Sequence, residues 1–255
     1  MKNFKPSYKN EGTTIPLPDM KKIWLVCFIM GAVFWIISLV LWWQQGIDQS
    51  ILFYFNDMRI QKDPIIIISK WFSSYGMASI TSIFVVYLLL SKLIKSLDAP
   101  LTVYFYTICS FGISGIAGDL LKIIFARPRP FATYGSEILA WSESAGFAIP
   151  SGHATKSIAL ILPFLLIVSN KTMIHKGIKF LITLIAGGVC FSRILLGAHY
   201  LSDVIAGIGT ALIGLPFSMM FANMVLSKAK QEQLPKLSLV WGFLLIFLTA
   251  VFMAL

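Results

Sequence analysis

Residues 23–43 have the sequence IWLVCFIMGAVFWIISLVLWW, a stretch of 21 residues without a charged side chain. The hydrocarbon core of a bilayer is about 30 Å thick, and a helix crosses it with about twenty apolar residues. The stretch ends in two tryptophans, a residue type enriched where helices meet the headgroups. Residues 1–22 are polar, and no small-residue cleavage site follows the apolar stretch, so we interpret 1–22 as a cytoplasmic tail and 23–43 as an uncleaved membrane span.

The composition of the whole chain supports a membrane protein. Hydrophobic residues make up 57% of the chain and charged residues 13%, with a mean hydropathy of +0.81. Soluble domains have about half apolar and a quarter charged residues. The net charge of +10 would suggest nucleic acid in a soluble protein. Here it fits a bilayer with anionic headgroups, and we predict no nucleic-acid partner.

Apolar stretches of similar length recur along the chain, separated by short polar connections. They lie at about 23–43, 73–92, 101–124, 153–169, 178–197, 201–226 and 237–255. The sequence therefore predicts an all-α, polytopic membrane helix bundle, with a six-helix domain over 23–226 and an additional span over 237–255. Ile47, Ile51, Phe55 and Met58 repeat at helical spacing in the first connection, which predicts a short interfacial helix that ends at Pro64.

The distribution of basic residues predicts the orientation. The tail and alternate connections hold thirteen of the 21 basic residues, all of them lysines. Basic residues accumulate on the cytoplasmic side of a membrane. We therefore expect a cytoplasmic N-terminus. All four arginines lie on the opposite side: Arg59, Arg127, Arg129 and Arg193.

Three polar clusters fall on that opposite side. Lys122 ends the third span and is followed by Arg129-Pro130; Pro150-Ser151-Gly152-His153 opens the fourth; Ser192-Arg193 ends the fifth and precedes His199 and Asp203. Arginine and lysine donate to phosphate oxygens, so Lys122, Arg129 and Arg193 are candidate phosphate ligands. Ser151 and Gly152 precede a helix, where backbone N–H groups and the helix dipole favour an anion.

The histidines supply candidate reactive groups. His199 and Asp203 are four residues apart, which places them on one helical face if the sixth span begins there. A carboxylate that accepts one imidazole N–H leaves the other ring nitrogen free to attack phosphorus. His153 is then available to protonate the leaving oxygen. This set needs no metal or other cofactor, and Cys27, Cys109 and Cys190, all within apolar stretches, show neither metal-ligand spacing nor a disulfide framework.

Several other residues allow two interpretations. Asp119 lies three residues before Lys122, which favours a structural ion pair over a catalytic role. Arg127 and Lys156 are either contacts to a second phosphate or a sugar, or solvated charges. Gly112, Gly115 and Gly118 recur at helical spacing and predict close helix packing.

The three clusters together resemble the signature of the type 2 phosphatidic acid phosphatase superfamily. The resemblance covers the third to the sixth span and matches at each signature position. It implies a six-helix core and metal-independent hydrolysis through a phosphohistidine. By motif position it makes His199 the nucleophile, Asp203 its partner and His153 the general acid. Its phosphate site corresponds to Lys122, Arg129, Arg193, Ser151 and Gly152. The span at 237–255 departs from the six-helix pattern.

The resemblance leaves the substrate open. It implies a phosphorylated membrane lipid, with a slight preference for undecaprenyl diphosphate because bacterial members most often act on it. Lipid A phosphates, phosphatidylglycerophosphate and phosphatidic acid are alternatives, as is a lipid phosphotransferase. A transporter is a different class, but charges that line a transport pathway lie near mid-membrane and not at one face. We expect a bacterial inner-membrane protein whose site faces the periplasm or the exterior.

The lysine distribution generates a prediction about topology. In a background without native cysteines, a cysteine at Tyr134 should react with an impermeant maleimide applied to intact cells. A cysteine at Ser96 should react only after the cells are opened. Labelling of position 96 from outside with position 134 protected would reverse the predicted orientation.

Overall fold

The computed structural model describes residues 17–61, 63–94, 97, 102–141, 146–168, 170–228 and the single positions 240, 244 and 247. The predicted span at 237–255 lies outside these residues apart from the single positions, as does most of the 1–22 tail. The helices are α1 Leu17–Gln44, α2 Gly46–Gln61, α3 Asp63–Leu93, α4 Val103–Phe125, α5 Pro130–Tyr134, α6 Gly152–Ile167, α7 Met173–Leu195 and α8 Leu201–Leu226. The described part contains no strand, and the predicted all-α fold class is confirmed.

Five helical stretches of the described part are long and apolar enough to cross a membrane. They are Lys22–Gln44, Pro64–Ser91, Val103–Glu137, Met173–Leu195 and Leu201–Leu226, and α6 is a shorter apolar helix of 16 residues. The largest departure from the predicted bounds is α3, which begins ten residues before the expected 73. Pro64 lies in its first turn, where the missing N–H removes no helical hydrogen bond. Pro64 therefore lies at the start of α3 and also marks the break between α2 and α3.

The long helices pack as antiparallel neighbours. Ser38, late in α1, donates to the carbonyl of Ser202 at the start of α8 over 2.9 Å, whereas Cys27, earlier in α1, packs with Met219 near the end of α8. In the same way Ser73, early in α3, bonds to Arg193 at the end of α7. The ends of α1, α4 and α7 and the starts of α3, α6 and α8 consequently meet at one end of the bundle.

Helix α2 closes this end and turns a partly polar face toward the other helices. Asp48, Leu52 and Asn56 are each 3% exposed or less, while Ile47 is 45% exposed. The amide of Asn56 donates to the carbonyl of Leu139 over 3.3 Å. The predicted helix is present, and its polar side chains bind the neighbouring elements.

Close contact between α6 and α8 fixes the start of α6. The Ser151 N–H donates to the carbonyl of Asp203 over 2.9 Å. A Cβ at Gly207 would lie 2.8 Å from the Ser151 oxygen and 3.1 Å from the Thr155 nitrogen. Small residues permit such approaches between membrane helices. Only glycine at 207 lets the segment before α6 lie directly on the first two turns of α8.

We expect Gly207→Ala to destabilise the protein. The new methyl would meet backbone atoms, and overpacking of this kind typically costs about 1–3 kcal/mol, which outweighs a gain in helix propensity of about 1 kcal/mol. Gly187→Ala in α7 is the matched control because nothing lies within 4 Å of its added Cβ. Thermal unfolding in detergent should show a lower Tm for Gly207→Ala and an equal or higher Tm for Gly187→Ala. Equal shifts in the two variants would contradict the close contact.

Candidate active site

The candidate residues come from six separate parts of the chain and meet at one end of the bundle. Lys122 lies in the last turn of α4, Arg193 in the last turn of α7 and Asp203 in the first turn of α8. Arg129 caps α5, and His199 lies in the short connection between α7 and α8. Residues that are far apart in the sequence therefore meet here, and Lys122 and Asp203 are 81 positions apart. Ser151, Gly152 and His153 occupy the start of α6.

The His199–Asp203 pair is deeply buried, with exposures of 1% and 0%. Nδ1 of His199 lies 3.4 Å from Oδ2 of Asp203, within ion-pair range, and makes no hydrogen bond of standard geometry with the described residues. Catalytic hydrogen bonds are often long before substrate binds and tighten in the complex. The same Oδ2 accepts the backbone N–H of Tyr200 over 2.9 Å. The carboxylate is thereby held beside the imidazole.

The opposite ring nitrogen of His199 faces an arginine. Nε2 lies 3.2 Å from Nη1 of Arg129. A guanidinium has only donors, so this contact is a hydrogen bond only when Nε2 carries its lone pair. The ring proton then lies on Nδ1, toward Asp203. Arg129 is itself positioned by the carbonyls of Gly146 and Ala198, at 3.0 and 3.4 Å.

The surroundings of His199 favour the neutral ring. Burial lowers the pKa of His199 well below its usual value, and the positive charges of Arg129, Arg193 and Lys122 lower it further. A lowered pKa means that the ring keeps its lone pair as the pH falls through the range where an ordinary histidine becomes protonated. The lowered pKa therefore favours the neutral ring, whose Nε2 faces Arg129.

Further basic side chains surround this ring. A Cβ at Gly152 would lie 3.1 Å from Nζ of Lys122, so the absence of a side chain lets the ammonium approach the start of α6. Arg193 is 1% exposed and donates to the hydroxyl of Ser73 on α3. His153 lies within electrostatic range of His199, Arg193 and Lys122.

The expectation for the Ser151 backbone is wrong. Its N–H donates to the carbonyl of Asp203 and is not directed at an anion, because this bond docks α6 on α8. The Ser151 side-chain hydroxyl is fully buried and has no hydrogen-bond partner among the described residues. The Ser151 amide is therefore engaged within the protein, whereas its hydroxyl makes no hydrogen bond with the described residues.

Arg127 and Asp48 form a buried network behind Asp203 that sequence reasoning missed. Arg127 donates to Oδ1 of Asp203 over 2.7 Å and to Oδ2 of Asp48 over 2.9 Å. Its guanidinium also lies over the rings of Tyr200 and Trp42, at 3.9 and 5.2 Å. Asp48 further accepts the backbone N–H of Ser202 over 2.9 Å. Arg127 is 5% exposed and is not the solvated charge that one interpretation expected.

The sequence carried little signal for this network. Arg127 stands two residues before Arg129 on the same predicted side of the membrane, and the sequence allowed a contact to a phosphate or sugar or a solvated charge but gave no sign of its carboxylate partners. Asp48 lies in a connection 79 residues away from Arg127, and only the packing of α2 against α8 brings the two together. Among the described residues, no three His, Cys, Asp or Glu side chains converge as metal ligands.

The predicted ion pair between Asp119 and Lys122 is present, and Lys156 pairs with the same carboxylate. Nζ of Lys122 and Nζ of Lys156 each lie 3.4 Å from the Asp119 carboxylate.

Of the three predicted packing glycines, Gly115 and Gly118 contact α6, through Lys156 and Thr155, whereas nothing lies within 4 Å of a Cβ at Gly112.

Comparison with known proteins places this arrangement in a family. The family model described as the PAP2 superfamily matches residues 100–225, which contain α4 to α8 apart from the last residue of α8. An undecaprenyl-diphosphatase of Sulfolobus acidocaldarius is 28% identical over 61% of this chain and 68% of its own length. A lipid A 1-phosphatase of Rhizobium etli is 36% identical over 41% of this chain and 43% of its own length. The undecaprenyl-diphosphatase BcrC of Bacillus subtilis is 31% identical over 40% of this chain and 51% of its own length.

A solved structure shares the fold. The crystal structure of a transmembrane PAP2 type phosphatidylglycerolphosphate phosphatase from Bacillus subtilis superimposes with a TM-score of 0.54 at 18% identity. The match covers 79% of this chain and 96% of that protein. With the apolar helices, this likeness shows that the chain is an integral membrane protein. The family model therefore identifies residues 100–225, which contain nearly all of α4 to α8, as a PAP2 superfamily region.

Proposed function

We propose that this membrane protein is a lipid phosphatase that hydrolyses a phosphomonoester or diphosphate through a phosphohistidine at His199. The observation that carries the proposal is the setting of the His199 ring. Its Nε2 faces Arg129 at 3.2 Å while Nδ1 lies 3.4 Å from Asp203, so a neutral imidazole presents a lone pair among cations. A nucleophile surrounded by phosphate-binding cations suits phosphoryl transfer.

The proposed reaction has two steps. Nε2 of His199 bonds to phosphorus while the bond from phosphorus to the leaving oxygen breaks, and His153 gives that oxygen a proton. Asp203 stabilises the positive charge that develops on the His199 ring. Water then attacks the phosphohistidine, His153 takes the proton from the water, and phosphate leaves from the regenerated imidazole. Arg129, Arg193 and Lys122 stabilise the phosphoryl oxygens throughout.

The remaining proposed roles concern the substrate site and its location. Gly152 keeps room for Lys122, and the Ser151 hydroxyl is a donor to the phosphoryl group. The mechanism uses no metal or other cofactor. The distribution of basic residues supports an inner-membrane protein whose site faces the periplasm or the exterior, with residues 23–226 as the phosphatase domain and 237–255 as a further span.

Undecaprenyl diphosphate is the preferred candidate substrate because two of the similar proteins are undecaprenyl-diphosphatases. Lipid A and phosphatidylglycerophosphate are the alternatives suggested by the other relatives. A lipid hydroxyl in place of water would make the same site a phosphotransferase.

A lipid panel tests the proposed function. The purified protein, assayed in detergent with EDTA, should release phosphate from at least one of undecaprenyl diphosphate, phosphatidylglycerophosphate, phosphatidic acid and lipid A. His199→Ala protein is the control for contaminating phosphatases. Absence of release from every lipid would reject the function, and activity that returns only with added magnesium would reject the metal-free mechanism.

The two histidines should differ in their effects. His199→Ala should abolish turnover and the covalent phosphoenzyme. His153→Ala should slow turnover by about 100- to 10,000-fold, the usual contribution of a general acid, and by less for an aryl phosphate whose leaving group needs little protonation. Rapid-quench trapping of an acid-labile phosphohistidine measures both effects. Label on His153 in the His199→Ala protein would reverse the assigned roles.

Asp48→Asn should impair catalysis without removing a substrate contact. Asp48 holds Arg127, which holds Asp203, so its charge orients the carboxylate from behind. We expect kcat to fall by about 10- to 100-fold, the range found for groups that orient metal ligands, with a much smaller change in KM because the phosphate ligands are intact. Asp57→Asn on the exposed face of α2 is the matched control. An increase in KM with an unchanged kcat would contradict the orienting role.

A further inference from the structure

Beside the phosphate site lies a cluster of three charges between α4 and α6. One carboxylate, Asp119, serves two ammonium groups, Lys122 and Lys156, each at 3.4 Å. The lysine side chains are 20% and 13% exposed, whereas that of Asp119 is 55% exposed. The cluster therefore has one net positive charge, and its acidic member lies on the outer surface. The proposed reaction uses Lys122 but leaves Lys156 without a role.

The packing of α4 against α6 shows where Lys156 lies relative to the phosphate site. Helices α4 and α6 are antiparallel, with Gly118 beside Thr155 and Gly115 beside the stem of Lys156. One helical turn, about 5.4 Å, leads from Gly152 to Lys156 along α6. This step runs from the end of the bundle that holds the site toward its middle. The backbone of Lys156 consequently lies on the membrane-interior side of Gly152, and its ammonium binds the same carboxylate as that of Lys122.

The surface outside this cluster is apolar. Ile116, Leu120 and Ile123 of α4 are 65%, 57% and 70% exposed, as expected for side chains that face lipid tails. Asp119 lies on the same face, and an ionised side chain among lipid tails is unfavourable unless it has polar partners. The cluster is thus a polar patch on the otherwise apolar outer side of α4.

We propose that Lys156 forms a second anion subsite, which binds the phosphate attached to the lipid chain when the substrate is a lipid diphosphate. The proposal rests on the proposed function and narrows its substrate class. With the terminal phosphoryl group at His199, the second phosphate of the same molecule lies on the side of the lipid chain. The backbone of Lys156 lies on that side. Asp119, being exposed, moves away from the two lysines as the phosphates approach, and Lys156 then neutralises the leaving phosphate.

Paired short-chain substrates test this subsite. Farnesyl diphosphate and farnesyl monophosphate have the same chain and differ by one phosphate. Lys156→Met keeps the length of the side chain and removes its charge. We expect kcat/KM for the diphosphate to fall by about 10- to 100-fold, the effect of losing a hydrogen bond to a charged group, and kcat/KM for the monophosphate to change less than about threefold. Lys156→Arg should restore most of the diphosphate activity.

The controls separate failure of the subsite from failure of the function. Retained hydrolysis of the monophosphate shows that the Lys156→Met protein is folded. Lys176 is an exposed lysine at the other end of the bundle. Lys176→Met should leave kcat/KM unchanged for both substrates. Equal losses for both substrates, or none for either, would overturn the subsite and leave the phosphatase intact. An unsubstituted protein that hydrolyses neither these two nor any lipid of the panel would overturn both.

Discussion

Arg127 is a buried cation shared by two buried carboxylates, and the rest of the active-site end depends on it. Asp48 comes from α2 and Asp203 from α8, with exposures of 1% and 0%. Removal of one partner from a buried ion pair typically costs about 3–5 kcal/mol because the other charge stays uncompensated. The three groups therefore require one another. This requirement locks the interfacial helix, the segment after α4 and the first turn of α8 into one arrangement.

The chain of contacts continues from this network to the reactive groups. Arg127 occupies Oδ1 of Asp203, which leaves Oδ2 for Tyr200 and His199. The backbone carbonyl of the same aspartate accepts from Ser151 and so holds the start of α6. Asp203 thus places a carboxylate oxygen 3.4 Å from the imidazole and holds the start of α6 through its main chain. The spacing of His199 and Asp203 predicted the first of these contacts but contains no information on the second.

The sequence predicted the helices far better than the contacts between them. Apolar length decides where a span lies, so α8 agrees with its predicted bounds of 201 and 226. The start of α3 was predicted too late because Ser69 and Lys70 interrupt its apolar pattern. Asp48 was not identified because its buried position depends on how α2 packs against the other helices. A polar face that binds other helices looks, in sequence, the same as one that faces water.

The length of α6 bears on how the substrate of the proposed function reaches these residues. Sixteen residues span about 24 Å, less than the roughly 30 Å of a hydrocarbon core, whereas the 26 residues of α8 exceed it. Helix α6 alone is therefore too short to cross the hydrocarbon core. At its C-terminal end, Lys179 donates to the carbonyls of Leu165 and Val168, over 2.7 and 2.6 Å. At its N-terminal end, basic residues lie around His153. Under the proposed function, a phosphorylated lipid meets this end of α6 by moving sideways in the bilayer, with its chain still among the lipid tails.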